Sequence, residues 1–271
     1  MAAVLLEHIS FRYTAFGLSD VSLEVSPGEF FTIVGPNGSG KTTILKLIDG
    51  ILAPNGGSLS LFGRALRRMS RQEVARIVAY VPQDGAAAFP FTVREVVLMG
   101  RSPHLGLLGF DSARDREIAS WAMELAEVAA IADRPVTEIS DGERQRVYVA
   151  RALAQKPKIL LLDEPHAHLD IAHQISLCES LRRLAAEQGL AVVAVVHDLN
   201  LASMFSDRML LLHEGRAVAI GKVEEVLTPA LINQTFHVPV MVDEHPTLHS
   251  PRVTLVLSHG SGGNGQGDHR G

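Results

Sequence analysis

The sequence predicts an α/β fold that carries an inserted block of helices. Three observations support this prediction: strand-like apolar runs alternate with helical patterns, residues 92–155 have mostly helical periodicity, and 46% of the chain is hydrophobic. Alternation of this kind is typical of a sheet covered by helices, and the apolar content is enough to build a core. The 271 residues allow one large domain or a core with a sizeable insert.

The predicted elements follow from local patterns. Strand patterns occupy 2–8, 21–34, 77–81, 159–163, 191–197 and 208–212, with turn or loop residues at 26–28 and 54–57. Helical patterns occupy 41–49, several pieces of 92–155, and 171–187. Helix starts are expected at Ser70, Thr92, Asp111 and Ser140. The serines and Thr92 precede a glutamate by three positions, which is the spacing of a capping box. Residues 240–257 alternate like a final pair of strands, and the glycine-rich stretch 258–271 is expected to be a flexible tail.

Composition and charge argue against several classes of protein. The formal net charge of −5 argues against nucleic acid or anionic lipid as the main partner. The longest apolar run, Leu190–Val196, is far shorter than the roughly 20 residues of a membrane-spanning helix. No signal segment is expected, because Glu7 and His8 follow the first apolar residues too closely. The single cysteine, Cys178, excludes an internal disulfide framework and is typical of a reducing cytoplasm.

The segment from Gly35 to Thr42 matches the pattern G-x-x-x-x-G-K-[ST] at every position. Its glycines allow a tight turn that directs several backbone N–H groups at one anion, and the helix that begins at Lys41 adds the positive end of its dipole. Lys41 can reach the β- and γ-phosphates of a nucleotide, and the Thr42 hydroxyl can ligate Mg²⁺. The motif predicts NTP binding, but it does not separate a kinase, a motor, a GTPase or a transporter subunit.

A second pattern lies at 159–164, where an apolar strand ends in two acids. Asp163 falls at the carboxyl end of the strand, the edge where open α/β sheets bind ligands, and can hold Mg²⁺ directly or through water. Glu164 points the other way along the pleat and is free to polarise an attacking water. His197 ends another apolar run and precedes Asp198, which favours a functional role for it over a purely structural one.

Several further motifs resemble those of ATP-binding cassette ATPases. Residues 139–146, Ile-Ser-Asp-Gly-Glu-Arg-Gln-Arg, are similar to the signature sequence of that family and precede Asp163 at the spacing that the family shows. Gln83 resembles the Q-loop glutamine of that family, and Leu169-Asp170 resembles its D-loop. His197 is similar to the switch histidine, and Tyr13 is similar to the aromatic residue that stacks on adenine. The resemblance spans residues 4 to about 240.

This resemblance implies a P-loop NTPase core, in which a RecA-like mixed sheet with flanking helices and an antiparallel β subdomain receives an inserted helical subdomain. A single ATPase domain would span 1–257, with a core at 1–84 and 156–240, helices at about 85–155, and a C-terminal strand extension at 240–257. ATP and Mg²⁺ are the implied cofactors.

The same resemblance implies roles for individual residues. Nucleotide contacts are expected from Tyr13, Gly35, Pro36, Asn37, Gly38, Ser39, Gly40, Lys41, Thr42, Thr43, Ser140 and Gly142, and Mg²⁺ ligation from Thr42, Gln83 and Asp163. Glu164 would activate water, and His197 would bridge Glu164 and the γ-phosphate. In this family the signature turn contacts ATP held by the opposite subunit, so a homodimer would hold two ATP molecules at a two-fold interface. One residue departs from the pattern: Asp141 replaces the first signature glycine, and a carboxylate near a γ-phosphate is repulsive unless it turns away.

Other segments resemble the ATPase subunits of importers for iron–siderophore complexes, haem and cobalamin. They are residues 90–104, 111–115, 132–134, 168–174 and 197–202. The resemblance implies two copies of a transmembrane permease subunit, an indirect periplasmic substrate-binding protein, no nucleic acid, and a peripheral location on the cytoplasmic face of the inner membrane. Apolar residues after the Q-loop would contact the permease or pack the helical subdomain: Phe89, Phe91, Leu105, Leu107, Leu108 and Phe110.

Other functions and substrates stay open on the sequence. A soluble cassette ATPase that acts as a switch is one alternative, although such proteins usually carry fused second cassettes, coiled coils or basic tracts. A small-molecule kinase is another, and it would need an acceptor site that the sequence does not reveal. An importer could also carry an oxyanion such as molybdate. The remaining histidines, among them His166, His168 and His173, have no spacing typical of a metal site and are expected at the surface or at an interface.

Overall fold

The computed structural model describes residues 1–14, 16–83, 90–105, 110–165 and 169–256. The strands within these ranges are β1 (Val4–Arg12), β2 (Gly17–Val25), β3 (Phe30–Val34), β4 (Gly56–Leu61), β5 (Arg64–Ala65), β6 (Val78–Val81), β7 (Ile159–Asp163), β8 (Ala191–Val195), β9 (Arg208–His213), β10 (Arg216–Lys222), β11 (Val240–Glu244) and β12 (Pro251–Leu255). The α-helices are α1 (Lys41–Ile48), α2 (Arg71–Ala75), α3 (Val93–Met99), α4 (Ala113–Leu125), α5 (Asp141–Ala154), α6 (Ile171–Gln188), α7 (Leu199–Phe205), α8 (Val223–Val226) and α9 (Pro229–Phe236). The predicted α/β fold with helices inserted between β6 and β7 is confirmed.

The central sheet has six strands in the order β10-β9-β3-β8-β7-β6. All neighbours are parallel except β10, which runs antiparallel to β9. Every residue of β3, β7 and β8 is buried, because apolar clusters lie on both faces of the sheet. Since parallel strands end at the same edge, the residues that follow β3, β7 and β8 come together there.

A second, antiparallel sheet has four strands in the order β2-β1-β4-β5 and shares an apolar cluster with α1. The turn predicted at 26–28 is confirmed, and it divides the stretch 21–34 between β2 and β3. The loop predicted at 54–57 is wrong at its end, because Gly56 and Gly57 belong to β4. A Cβ on Gly57 would lie 2.4 Å from the carbonyl oxygen of Glu7, so glycine is what allows β4 to approach β1 this closely.

The helical region consists of α3, α4 and α5 between β6 and β7. Each of these helices begins with a capping box, formed by Thr92 and Glu95, Ser112 and Asp115, and Ser140 and Glu143. The start predicted at Asp111 is therefore one residue early, because the Ser112 side chain accepts from the N–H of Asp115. Arg101 and Asp115 form a buried ion pair at 2.8 Å, and Arg101 also donates to the carbonyl oxygen of Ala154 at the end of α5.

The last described residues return to the core as two short helices and a hairpin. The strand pair predicted at 240–257 is confirmed as β11 and β12 within the described residues. Asn200 of α7 binds Val253 of β12 twice: its amide oxygen accepts at 2.8 Å and its amide nitrogen donates at 3.1 Å. The tail predicted at 258–271 lies outside the described residues. In the part of the chain that is described, no helix is both long enough and apolar enough to cross a bilayer.

Candidate functional site

The turn between β3 and α1 has the backbone that a phosphate-binding loop requires. Gly35, Gly38 and Gly40 have φ angles of 152°, 76° and 107°. A Cβ on Gly35 would lie 2.0 Å from the carbonyl oxygen of Leu212, so close approach to β9 excludes a side chain there. Ser39 is 3% exposed, and its hydroxyl has no hydrogen-bond partner among the described residues. A buried hydroxyl of this kind is expected to find its partner in a bound ligand.

The Lys41 side chain folds over this turn. Its ammonium donates to the carbonyl oxygens of Gly35 and Pro36, each at 2.9 Å, and the residue is 5% exposed. Burial lowers the pKa of Lys41, and the nearby carboxylates of Glu164 and Asp163 oppose that shift. The cation lies beside the N-terminus of α1, which has no side-chain cap within the described ranges. Free N–H groups, the helix dipole and an ammonium group together favour an anion at this position.

Asp163 ends β7 next to the turn and is 2% exposed. Its Oδ1 accepts from Thr42 Oγ1 and its Oδ2 accepts from the Tyr80 hydroxyl, both at 3.0 Å. Burial raises the pKa of Asp163, and these two hydrogen bonds oppose the rise. A carboxylate and a threonine hydroxyl in contact form an oxygen donor set of the kind that Mg²⁺ prefers. The residues present therefore fit a magnesium ion, and Gln83, the third predicted ligand, lines a cavity together with Thr42.

Glu164 follows Asp163 with a φ of 52°, in the left-handed region, and its N–H donates to the carbonyl oxygen of Val195. Its side chain is held by two residues from other strand ends. Gln83 Nε2 donates to Oε2 at 2.8 Å, and His197 Nε2 lies 2.5 Å from Oε1. Both carboxylate oxygens are therefore engaged by side chains that follow β6 and β8.

A cavity of about 530 Å³ connects the phosphate turn with Gln83, Glu164 and His197. Its lining residues are Phe16, Asn37, Gly38, Gly40, Lys41, Thr42, Thr43, Gln83, Glu164 and His197. Phe16 is absent from the sequence prediction, and the others are part of it. The Phe16 ring lies against Gly40, where a Cβ would come within 2.7 Å of it. This contact depends on how the antiparallel sheet packs on the phosphate turn, and the sequence shows only an aromatic residue three positions after Tyr13.

Tyr13, Ser140 and Gly142 are predicted nucleotide contacts that do not line this cavity. Tyr13 is 43% exposed, and its ring meets the Phe11 ring edge-on at 4.7 Å. Ser140 caps α5 in the helical region and Gly142 lies in the first turn of that helix. Asp141, the residue that departs from the signature pattern, forms an ion pair with Arg144. The nucleotide contacts of these residues stay predictions, as do those of the residues that line the cavity.

Among the histidines outside the cavity, His213 and His237 pack edge-on with ring centroids 6.0 Å apart. Within the described ranges, no group of three or more histidine, cysteine, aspartate or glutamate side chains is arranged to hold a metal ion. His173 Nδ1 lies 2.7 Å from Asp170 Oδ1, at the start of α6. His166 and His168 lie outside the described residues.

Comparison with known proteins identifies the family. The family model described as ABC transporter matches residues 18–167. A hemin import ATP-binding protein of Gloeobacter violaceus is 46% identical over 251 residues, which cover 90% of this chain and 89% of that protein. An iron(3+)-hydroxamate import ATP-binding protein of Bacillus subtilis is 39% identical over 234 residues, which cover 86% of this chain and 87% of that protein. Among solved structures, a metal-chelate type ABC transporter in an inward-facing conformation aligns with a TM-score of 0.83 at 28% identity, over 95% of this chain and 98% of that chain. The chain therefore belongs to the ABC transporter family and is a nucleotide-using ATPase of that family.

Proposed function

We propose that this chain is the ATP-hydrolysing subunit of a bacterial importer for an iron complex, either a siderophore or haem, or for cobalamin. The observation that carries the proposal is the position of Glu164, which lies between Gln83 and His197 and lines the same cavity as the phosphate turn. A general base must lie here to take a proton from the water that attacks a terminal phosphate. The two relatives described above, which are named for hemin and iron(3+)-hydroxamate import, support the substrate class.

The residues of the site have two roles in hydrolysis: some bind the phosphates and the metal ion, and others move a proton. Lys41 and the N–H groups of the turn bind the phosphates. Thr42, Gln83 and Asp163 would hold Mg²⁺, which neutralises charge on the β- and γ-phosphates when bound. Glu164 accepts a proton from the attacking water while the bond from the γ-phosphorus to the bridging oxygen breaks, so that ADP and phosphate leave. His197 keeps the Glu164 carboxylate in place and contacts the γ-phosphate.

Two copies of the chain would complete each other's sites. The N-terminus of α5 carries Ser140 and Gly142, and among the described residues the Ser140 hydroxyl caps the N–H of Glu143 and no other N–H group of this turn. The other N–H groups of the first turn are left to bind a phosphate of the ATP held by the partner. The ion pair between Asp141 and Arg144 offsets the negative charge that the departure from the signature introduces.

The permease contact is proposed for the helical region. Phe110 is 81% exposed and Phe91 is 43% exposed, and both precede helices of that region. Exposed aromatic side chains on one region mark a candidate protein interface. Two permease subunits would dock there, at the cytoplasmic face of the inner membrane, and a periplasmic binding protein would deliver the substrate to them. Phe89, Leu107 and Leu108, which belong to the same predicted contact, lie outside the described residues.

Co-expression with a candidate permease subunit tests this proposal. The tagged chain should co-purify with the permease from solubilised membranes. Cells should take up radioactive iron–siderophore complex, haem or cobalamin, and Lys41→Ala should abolish that uptake. A chain that remains a soluble monomer and phosphorylates a small molecule would contradict the proposal.

The docking surface has its own test. Phe110→Asp should lower co-purification and uptake but leave the ATPase activity of the isolated chain unchanged. The matched control is Ile220→Asp on β10, which changes another exposed apolar residue (38%) and should leave both intact. Normal uptake by the Phe110 variant would remove the docking assignment.

A further inference from the structure

Tyr80 lies beside the proposed magnesium site but has no part in the mechanism above. It belongs to β6, and its ring packs against the apolar cluster that α1 shares with the antiparallel sheet. In the parallel pairing of β6 with β7, Tyr80 lies opposite Leu161. Side chains two positions apart point to the same face of a strand, so Asp163 lies on that face, one step nearer the site. The long tyrosine side chain spans this step and brings its hydroxyl to the Asp163 carboxylate.

The hydroxyl groups of Tyr80 and Thr42 bind different oxygens of the Asp163 carboxylate. It donates to Oδ2 of Asp163 at 3.0 Å, while Thr42 Oγ1 donates to Oδ1 at 3.0 Å. Of the hydrogen bonds recorded among the described residues, only that of Tyr80 reaches Oδ2. Asp163 is 2% exposed, so solvent has little access to replace a lost donor. The two bonds, one at each oxygen, fix the rotation of the carboxylate about its last side-chain bond.

We propose that Tyr80 is a positioning residue for the metal ion of this site. By binding Oδ2 it keeps Oδ1 of Asp163 turned toward Thr42, where Mg²⁺ would be held. The inference rests on the magnesium role that the proposed function assigns to Asp163 and Thr42. Tyr80 acts through the carboxylate, in the way that partners behind a metal ligand orient it, and removal of such a partner typically weakens metal binding by about 10- to 100-fold.

Tyr80→Phe is the informative substitution, because it keeps the ring in its apolar cluster and removes only the donor to Oδ2. A fluorescent ATP analogue is titrated against the purified chain in EDTA and then over a Mg²⁺ series at a fixed analogue concentration. We expect the affinity in EDTA to stay within about twofold of wild type and the Mg²⁺ midpoint to rise about 10-fold. Electron paramagnetic resonance follows Mn²⁺ that binds together with the analogue. The affinity for Mn²⁺ should fall in Tyr80→Phe in parallel with the affinity for Mg²⁺.

Tyr148→Phe is the matched control, since it also changes a largely buried tyrosine, here in α5 and away from the turn. It should show the wild-type Mg²⁺ midpoint. An unchanged midpoint in Tyr80→Phe would overturn the inference. An equal loss of analogue affinity with and without Mg²⁺ would also overturn it, because such a loss reports damage to the whole site.

The wild-type chain tests the proposed function separately. If its affinity for the analogue does not respond to Mg²⁺ or Mn²⁺, the proposed metal site is wrong. If the wild-type chain responds and Tyr80→Phe responds identically, only the role of Tyr80 is wrong.

Discussion

His197 Nε2 lies 2.5 Å from Glu164 Oε1, and Gln83 Nε2 donates to the other oxygen of the same carboxylate at 2.8 Å. The three side chains follow β8, β7 and β6, which are neighbours in the parallel sheet and end at a common edge. The position of Glu164 therefore depends on two residues that are distant in the sequence. This arrangement makes the carboxylate the first group to test.

Glu164→Gln should lower ATP turnover by about 10²- to 10⁴-fold, because an amide cannot accept a proton from water. ATP binding should persist, and ATP-bound dimers should accumulate because hydrolysis no longer separates them. Phosphate release measures the first effect and gel filtration with ATP the second. Glu187→Gln, at an exposed position of α6, should behave as wild type. Near-normal turnover in the Glu164 variant would defeat the role assigned here.

The ion pair of Asp141 with Arg144 predicts that a second substitution reverses the effect of the first on dimer formation. In the Glu164→Gln background, Arg144→Ala should raise the ATP concentration needed for dimer formation about fivefold, the equivalent of about 1 kcal/mol, because the Asp141 carboxylate then repels phosphate unopposed. Asp141→Gly added to Arg144→Ala should restore the original requirement. Light scattering over an ATP series measures dimer formation in four chains: the Glu164→Gln parent, each single variant in that background, and the double variant. A double variant as weak as Arg144→Ala would show that Arg144 itself binds the phosphate.

Arg101 and Asp115 predict a large loss of stability when the pair is broken. Their side chains are 8% and 13% exposed. Arg101→Met should lower the free energy of unfolding by about 3 kcal/mol, because it leaves a buried carboxylate without its cation. The control is Arg94→Met, whose partner Asp133 has a side chain that is 84% exposed, and there the loss should stay below about 1 kcal/mol. Urea unfolding compares the two, and equal losses would contradict the prediction.

Asp49 makes the stability of the folded chain depend on pH. It lies at the end of α1 beside a mainly apolar cavity of about 320 Å³, and burial raises its pKa to about 6, while Arg71 opposes the shift. The unfolded chain loses this proton near pH 4. The folded chain therefore holds an extra proton between about pH 4 and 6, and stability falls as the pH rises through that window.

Asp49→Asn removes this ionisation. It should raise the free energy of unfolding at pH 7 by about 1 to 2 kcal/mol, and the gain should shrink to nothing near pH 4. Urea unfolding at pH 4, 5.5 and 7 measures the difference. Asp133→Asn, at an exposed position, should show no such trend. An Asp49→Asn gain that is the same at every pH would rule out this account.

Asn200→Ala should release the C-terminal hairpin from α7. The substitution removes both hydrogen bonds to Val253 and leaves the bond from Ser203 Oγ to the carbonyl oxygen of Pro251. Amide hydrogen exchange in β11 and β12 should accelerate, while exchange in β3 and β7 should stay at the wild-type rate. Unchanged exchange in the hairpin would show that apolar packing and the Ser203 hydrogen bond hold it without Asn200.

The sequence by itself determined the features that depend on residues close along the chain. The phosphate turn at 35–42 is defined by its glycines, and the starts of α3 and α5 are defined by capping boxes that span four residues. The buried strands β3, β7 and β8 are visible as continuous apolar runs, because a strand covered on both faces needs no polar alternation. A predicted boundary is wrong where a distant strand decides it, as at Gly57, which belongs to β4 and lies against β1.

Only the tertiary structure decided which distant residues meet. Tyr80 binds Asp163 across 83 positions, Asn200 binds Val253 across 53, and Phe16 closes the cavity beside Gly40. Each contact depends on strand order and on how the two sheets pack. Local patterns predict that a segment is a strand, but they carry no information about which strand lies beside it, because parallel neighbours are joined through crossovers of many residues.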